Sequence, residues 1–325
     1  MKKLIGTGVV AAVCVAISWL VFRGPNAAPP SNVKIERTQA RLERGQYLFE
    51  TVLDCSGCHS ERDLSKFSLP EIAGRRGVGF AFPKELGLPG QVVARNITQD
   101  KETGLGNWTD GEILRAIREG VSRDGRALFP MMPYKNYASL SDEDAYSLVT
   151  YLRTIPAVKN SLPPTKLNFP VNLLIVGVPK PVGNVPAPDL ANPMSKGKYL
   201  VEVAGCGGCH TPAEKGERVK GKEFAGGEVF RFGNFEVHSA NITPDPDTGI
   251  GSWTEQRFVE KFKNYTNMTD QNIPATVQAN FTIMPWLQFR NFKEDELQAI
   301  YGHLRTLTPV RNKVEVHPPV VMPPI

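Results

Sequence analysis

Apolar residues recur at helical spacing in two distant stretches that copy one another. Ala145, Leu148, Val149 and Leu152 fall at i, i+3, i+4 and i+7, and Leu297, Ile300, Tyr301 and Leu304 repeat that stripe. Each predicts an amphipathic helix with one face toward a core. Ser141, with Asp144 three residues on, offers an N-terminus for the first helix, whereas Lys293 stands at the equivalent place in the second and caps poorly. A second pair of stripes is Ile113, Leu114 and Ile117 against Phe258, Val259 and Phe262. Thr109 with Glu112 fits a capping box and Gly120 a stop; the copy keeps Thr254 but has Arg257 where the box wants Glu.

The copying extends well beyond the helices. Gly45-Gln46-Tyr47-Leu48 returns as Gly197-Lys198-Tyr199-Leu200, and Asn96-Ile97-Thr98 as Asn241-Ile242-Thr243. Thr103 to Thr109 returns as Thr248 to Thr254, Met132-Pro133-Tyr134 as Met284-Pro285-Trp286, and Tyr151-Leu152-Arg153-Thr154 as His303-Leu304-Arg305-Thr306. The order is the same in both halves, so the chain is read repeat by repeat. Two tandem, mostly α-helical units are expected over residues 36–156 and 193–312, each of ordinary single-domain size. Between them, residues 157–192 are rich in proline and should run extended along the surface; the tail over 313–325 is similar.

At the front, Lys2 and Lys3 precede an uncharged run from Leu4 to Phe22. As a helix that run reaches roughly 28 Å, close to the hydrocarbon thickness of a bilayer. A small-x-small cleavage site fits poorly, because Pro25 stands two places before Ala27 and Asn26 two before Ala28. Residues 1–24 are therefore expected to be a retained transmembrane helix rather than a cleaved signal. Cys14 sits within the run as a small apolar residue. The two lysines favour a cytoplasmic N-terminus, with Arg23 on the far side weakening the asymmetry. The body is then expected in the periplasm, tethered to a bacterial inner membrane.

The net charge of +5 suggests a basic partner surface until it is located. Residues 39–156 carry 15 Lys and Arg against 16 Asp and Glu, and residues 193–312 carry 14 against 14. The excess lies in the N-terminal segment and the linker. With no basic stripe interleaved with aromatics, a nucleic-acid partner is not expected.

Candidate chemistry is concentrated in two copies of Cys-x-x-Cys-His, Cys55 to His59 and Cys206 to His210. Each offers two thiols for thioether bonds to haem vinyl groups and a histidine placed to bind the iron. Zinc would want four ligands closed around it, and no second Cys or His pair follows at finger spacing. A thiol-redox pair does not need the histidine. All cysteines beyond Cys14 belong to the motifs, leaving none for a structural disulfide. The reading is two covalently bound haem c groups, held by Cys55, Cys58 and His59 and by Cys206, Cys209 and His210.

A haem iron with one histidine needs a sixth ligand or an open position. Met132 and Met284 are the candidates, each far downstream, before a proline, and at the same place in its repeat. Met131 could serve instead of Met132, but Ile283 stands at its counterpart. Among the other histidines, His238 aligns with Val93, His303 replaces Tyr151 on a helix, and His317 lies in the tail. None is a matched ligand. Asn96, Asn241, Trp108 and Trp253 offer donors for haem propionates, or equally for fixing loops and filling the core. Arg95 could pair with a propionate too, though Ala240 at its counterpart prevents a shared role.

Gly45 and Phe49, with Leu148 and Tyr151, resemble the crossed terminal helices of the class I cytochrome c fold, and the second copy departs with Val201 and His303 at the aromatic places. Ala94 to Thr98, Asn241 to Asp245, the Trp-Thr pairs, Ala225-Gly226-Gly227 and Met132-Pro133-Tyr134 resemble membrane-anchored cytochrome c subunits of periplasmic alcohol, aldehyde and sugar-acid dehydrogenases. The similarity covers roughly residues 38–312. Those subunits typically carry three haems, and this chain has two motifs. The resemblance implies electron transfer from a partner dehydrogenase, or another periplasmic redox protein, to the respiratory chain.

The expected function is thus a dihaem electron carrier, not an enzyme by itself. The alternative is a dihaem peroxidase, which needs an iron open to peroxide; methionine at the same place in both halves argues against one. A haem gas sensor lacks an attached output domain.

Overall fold

The computed structural model describes residues 24–214, 216–232, 235–269 and 272–318. The expected membrane helix at 1–24 lies outside the described residues except for Gly24. Among the described residues no helix is long and apolar enough to cross a membrane.

The chain is predominantly helical. The helices are α1 (Gln39–Tyr47), continued by a π-helical turn (Leu48–Val52), α2 (Cys55–His59), α3 (Asp110–Glu119), α4 (Tyr134–Tyr137), α5 (Asp142–Leu152) and α6 (Val171–Leu174). There follow α7 (Pro193–Val203), α8 (Cys206–His210), α9 (Glu255–Lys263), α10 (Ala275–Gln278), α11 (Trp286–Phe289) and α12 (Glu294–Leu304). The described strands form short antiparallel pairs, among them a hairpin of Val229–Phe232 with Phe235–His238.

Helix starts follow the side chains available. Thr109 Oγ1 accepts from Glu112 N–H at 3.2 Å and Glu112 Oε2 accepts from Thr109 N–H at 2.7 Å, closing the capping box, while Gly120 ends α3 at φ 73°. Ser141 Oγ accepts from Asp144 N–H at 3.1 Å to start α5. In the second half Thr254 still caps α9 through Arg257 N–H at 3.1 Å, and the Arg257 guanidinium lies 4.4 Å over the Trp253 ring. The Lys293 ammonium can accept nothing, so α12 begins differently. Lys293 N–H donates to Glu296 Oε2 at 3.1 Å and to the Tyr47 hydroxyl, from the other half, at 3.2 Å.

Two helix pairs cross at glycines. A Cβ on Gly45 of α1 would stand 1.9 Å from Ser147 O on α5, and one on Gly197 of α7 would stand 1.9 Å from Ala299 O on α12. The helices approach to backbone contact there. Phe49 and Tyr151 pack beside the first crossing, ring centroids 5.2 Å apart. In the second pair His303 replaces the tyrosine, and a Gly197 Cβ would meet its Cβ at 3.0 Å. Gly45→Ala and Gly197→Ala should each destabilise the fold by about 1–3 kcal/mol, because backbone cannot yield as a flexible side chain would. Denaturant unfolding followed by circular dichroism checks this; an unchanged midpoint in both would show that the helices do not touch at backbone distance.

The halves exchange tyrosines. Tyr199 of α7 donates to Asp144 Oδ2 of α5 at 2.7 Å, and its hydroxyl accepts from Ser141 N–H at 3.2 Å. Tyr47 of α1 makes the corresponding bonds to Glu296 and Lys293 of α12. Each tyrosine thus satisfies the N-terminus of the other half's last helix, the reciprocal pattern of a two-fold contact.

The proline-rich segment after α5 is mostly extended, with Lys166–Leu167 paired to Gly90–Gln91; the exception is a short helical stretch, Val171–Leu174 continued by a 3-10 turn over Ile175–Gly177. The segment is also tied down: Val158 O accepts from Asn96 Nδ2 at 2.8 Å, and Asp142 N–H donates to Val185 O at 2.9 Å.

Candidate cofactor site

Each Cys-x-x-Cys-His segment folds as one helical turn entered through a left-handed residue. Before α2 this is Asp54 at φ 41°, whose Oδ1 also accepts from Gly57 N–H at 3.1 Å; before α8 it is Gly205 at φ 68°, where glycine adopts the conformation without strain. The turn puts both thiols and the imidazole of each segment on the wall of one continuous cavity of about 2230 Å³.

The histidines are held identically. His59 Nδ1 lies 2.7 Å from Arg95 O, and His210 Nδ1 lies 2.7 Å from Ala240 O. A carbonyl can only accept, so Nδ1 carries the proton and Nε2 keeps a free electron pair. Burial holds both imidazoles below the ordinary histidine range, which keeps them neutral. A neutral, oriented Nε2 is what a metal requires of histidine.

Burial also pushes the thiols up: Cys58 to about 11, Cys206 to about 12, Cys55 and Cys209 in the same direction. Such thiols are poor thiolates at neutral pH, which argues against thiol-disulfide exchange. All four are free, and among the described residues no cluster of three or more His, Cys, Asp or Glu could hold a metal ion. The donor set fits haem c, whose thioethers carry no charge and whose ring matches a largely apolar wall.

Met132 and Met284 both line the cavity and pack against the hydrophobic core. They sit in the same turn, Met132 O accepting from Tyr134 N–H at 2.8 Å and Met284 O from Trp286 N–H at 2.7 Å. Met131 reaches the cavity too but does not join the core contacts.

Of the two roles open to the asparagines, the structure shows the loop-fixing one. Asn96 Nδ2 donates to Thr103 Oγ1 at 2.9 Å and Val158 O at 2.8 Å, and Asn241 Nδ2 to Thr248 Oγ1 at 3.1 Å and Val310 O at 2.8 Å. Both amide protons are occupied and both residues buried, so neither amide is available to a carboxylate. The Arg95 guanidinium donates through Nη1 to Leu162 O and Pro163 O at 3.2 and 3.0 Å, and its backbone carbonyl orients His59. Trp108 and Trp253 do line the cavity. His238 Nε2 lies 2.9 Å from Glu236, His303 packs at the α7–α12 crossing, and His317 is exposed at the cavity rim.

Three features escaped sequence reasoning. The carbonyl acceptors of Arg95 and Ala240 are invisible as residue types, although their shared place before Asn-Ile-Thr was a usable signal. Asp54 and Gly205 look unrelated, yet both supply the left-handed entry. Arg62, only 7% exposed and on the cavity wall, has Nε and Nη1 without hydrogen-bond partners, and Nη1 lies 3.9 Å from Asp54 Oδ1.

Residues 42–156 match the family described as Cytochrome c. The chain is 31% identical over 256 residues to the fructose dehydrogenase cytochrome subunit of Gluconobacter japonicus, covering 75% of this chain and 49% of that protein. It is 29% identical over 246 residues to the cytochrome c subunit of the quinone alcohol dehydrogenase of Gluconobacter oxydans (strain 621H), covering 70% and 47%. With the gluconate 2-dehydrogenase cytochrome c subunit of Pantoea cypripedii it shares 30% over 285 residues, covering 84% and 60%. The chain spans about half the length of the first two.

Proposed function

With a cytochrome c domain, its covalently bound haem c, and similarity to cytochrome subunits of dehydrogenases as premise, we propose that this chain is a dihaem electron carrier. It takes electrons from a periplasmic dehydrogenase and passes them toward the respiratory chain. One haem is held by Cys55, Cys58, His59 and Met132, the other by Cys206, Cys209, His210 and Met284. The observation that carries the reading is the repetition of the histidine geometry, 2.7 Å to a backbone carbonyl at the same place in each repeat. Haem bound at each set supplies a one-electron iron couple.

The protein's own contribution is electrostatic and positional. The Arg95 and Ala240 carbonyls orient the two imidazoles and increase their basicity. Buried aromatic and aliphatic side chains would keep water from the cofactor, and the Met132 and Met284 thioethers would be the second protein donors to its iron. The cavity wall shared by the two halves supports exchange between them. Residues 1–24 are proposed to anchor the chain in the bacterial inner membrane with the haem domains, 36–156 and 193–312, on the periplasmic side.

A closed carrier is reduced rapidly by a partner dehydrogenase, binds carbon monoxide poorly and consumes negligible peroxide. Stopped-flow reduction by candidate dehydrogenases, with peroxide turnover measured on the same preparation, tests this. Rapid peroxide consumption by a high-spin haem would replace the carrier with a peroxidase.

A further inference from the structure

The loop that follows the first histidine ends against the methionine turn of the other half. Ser68 N–H donates to Thr282 O at 3.0 Å, and Ser68 Oγ donates to Met284 O at 3.0 Å while accepting from Leu287 N–H at 3.4 Å. Beside it, Gln278 joins the same two segments: its Oε1 accepts from Phe67 N–H at 2.9 Å and its Nε2 donates to Ser65 O at 2.9 Å. Phe67 stacks on Tyr265 with ring centroids 5.4 Å apart. None of this is a loose surface contact, since Ser68 is 0% and Phe67 2% exposed.

The geometry is built for the contact. Ser68 and Leu69 adopt φ of 60° and 47°, values that non-glycine residues rarely take, and the resulting kink presents Ser68 N–H and Oγ together to the opposite turn. Behind the kink the buried Arg62 donates from Nη2 to Ser68 O at 3.2 Å. The two methionine turns also differ in what they need. Met132 follows the end of α3 by 13 positions and Met284 follows the end of α9 by 21, so the second turn hangs on a longer connection.

We propose that Ser68, assisted by Gln278, is a positioning residue for the second haem: it fixes the Met284 carbonyl from the first half and thereby aims the Met284 thioether at the iron held by His210. This rests on Met284 being the axial ligand. Ligand strength at the second haem is then set partly by residues of the first half.

Ser68→Gly is the informative variant, because glycine tolerates φ 60° and the change removes the hydroxymethyl group while keeping the backbone N–H. The test uses the full haem-loaded chain and reads the weak near-infrared sulfur-to-iron absorption, together with titration by imidazole. Met284→Ala defines the part of the absorption belonging to the second haem. In Ser68→Gly that part should fall substantially and imidazole should bind the second haem about tenfold tighter, the scale set by one lost buried hydrogen bond. The part belonging to Met132 should stay unchanged. Gln278→Ala should act in the same direction. Wild-type absorption and imidazole affinity in both variants would overturn the clamp while leaving the ligand intact, and loss at both haems together would overturn it as a general loosening. If Met284→Ala itself leaves the absorption unchanged, the ligand assignment falls and the clamp with it.

Discussion

Met284→His lowers the midpoint potential of one haem by on the order of a hundred millivolts or more and leaves the other nearly fixed, and Met132→His does the reverse. The soft, neutral thioether favours ferrous iron, whereas a second imidazole donates more strongly and favours the ferric state. The selectivity follows from separation in the fold, since each methionine lies in its own turn, before α11 or before α4. Met131→Leu should leave both potentials in place, because Met131 does not share the core packing of Met132. Spectroelectrochemical titration resolves the two couples. Unshifted potentials in both histidine variants would reject Met132 and Met284 as ligands.

Much of the local structure was legible because side chains at helix ends act within three residues of themselves. Thr109 with Glu112, and Ser141 with Asp144, cap as their types require. Gly45 and Gly197 were legible as a repeated pair, and the backbone contact at each explains why no Cβ fits. Long-range features were not. That Lys293 leans on Tyr47, or that Ser68 meets Met284, depends on how the halves dock, and the periodicity of either segment says nothing of it. Asn96 and Asn241 show the limit most clearly. Their amides suit propionates and loop carbonyls equally, and only the positions of Val158 and Val310 decide for the loops.

A paired change, Cys55→Ala with Cys58→Ala, removes one haem of two from the denatured protein, and Cys206→Ala with Cys209→Ala removes the other. Thioether bonds survive unfolding, whereas axial bonds from His59 or His210 do not, so haem retained in denaturant reports the cysteines alone. The raised thiols are consistent with that chemistry, because a neutral thioether costs nothing in desolvation where a thiolate would. Loss of the first haem also leaves a large cavity beside Leu53, Ile113 and Leu148, so the variant should unfold more readily than its parent.

The central claim is most directly tested by the intact mass of the denatured wild-type chain. Two covalently attached haems, each released only with its own cysteine pair, is the predicted result. A haem-free polypeptide, with or without zinc, would contradict it.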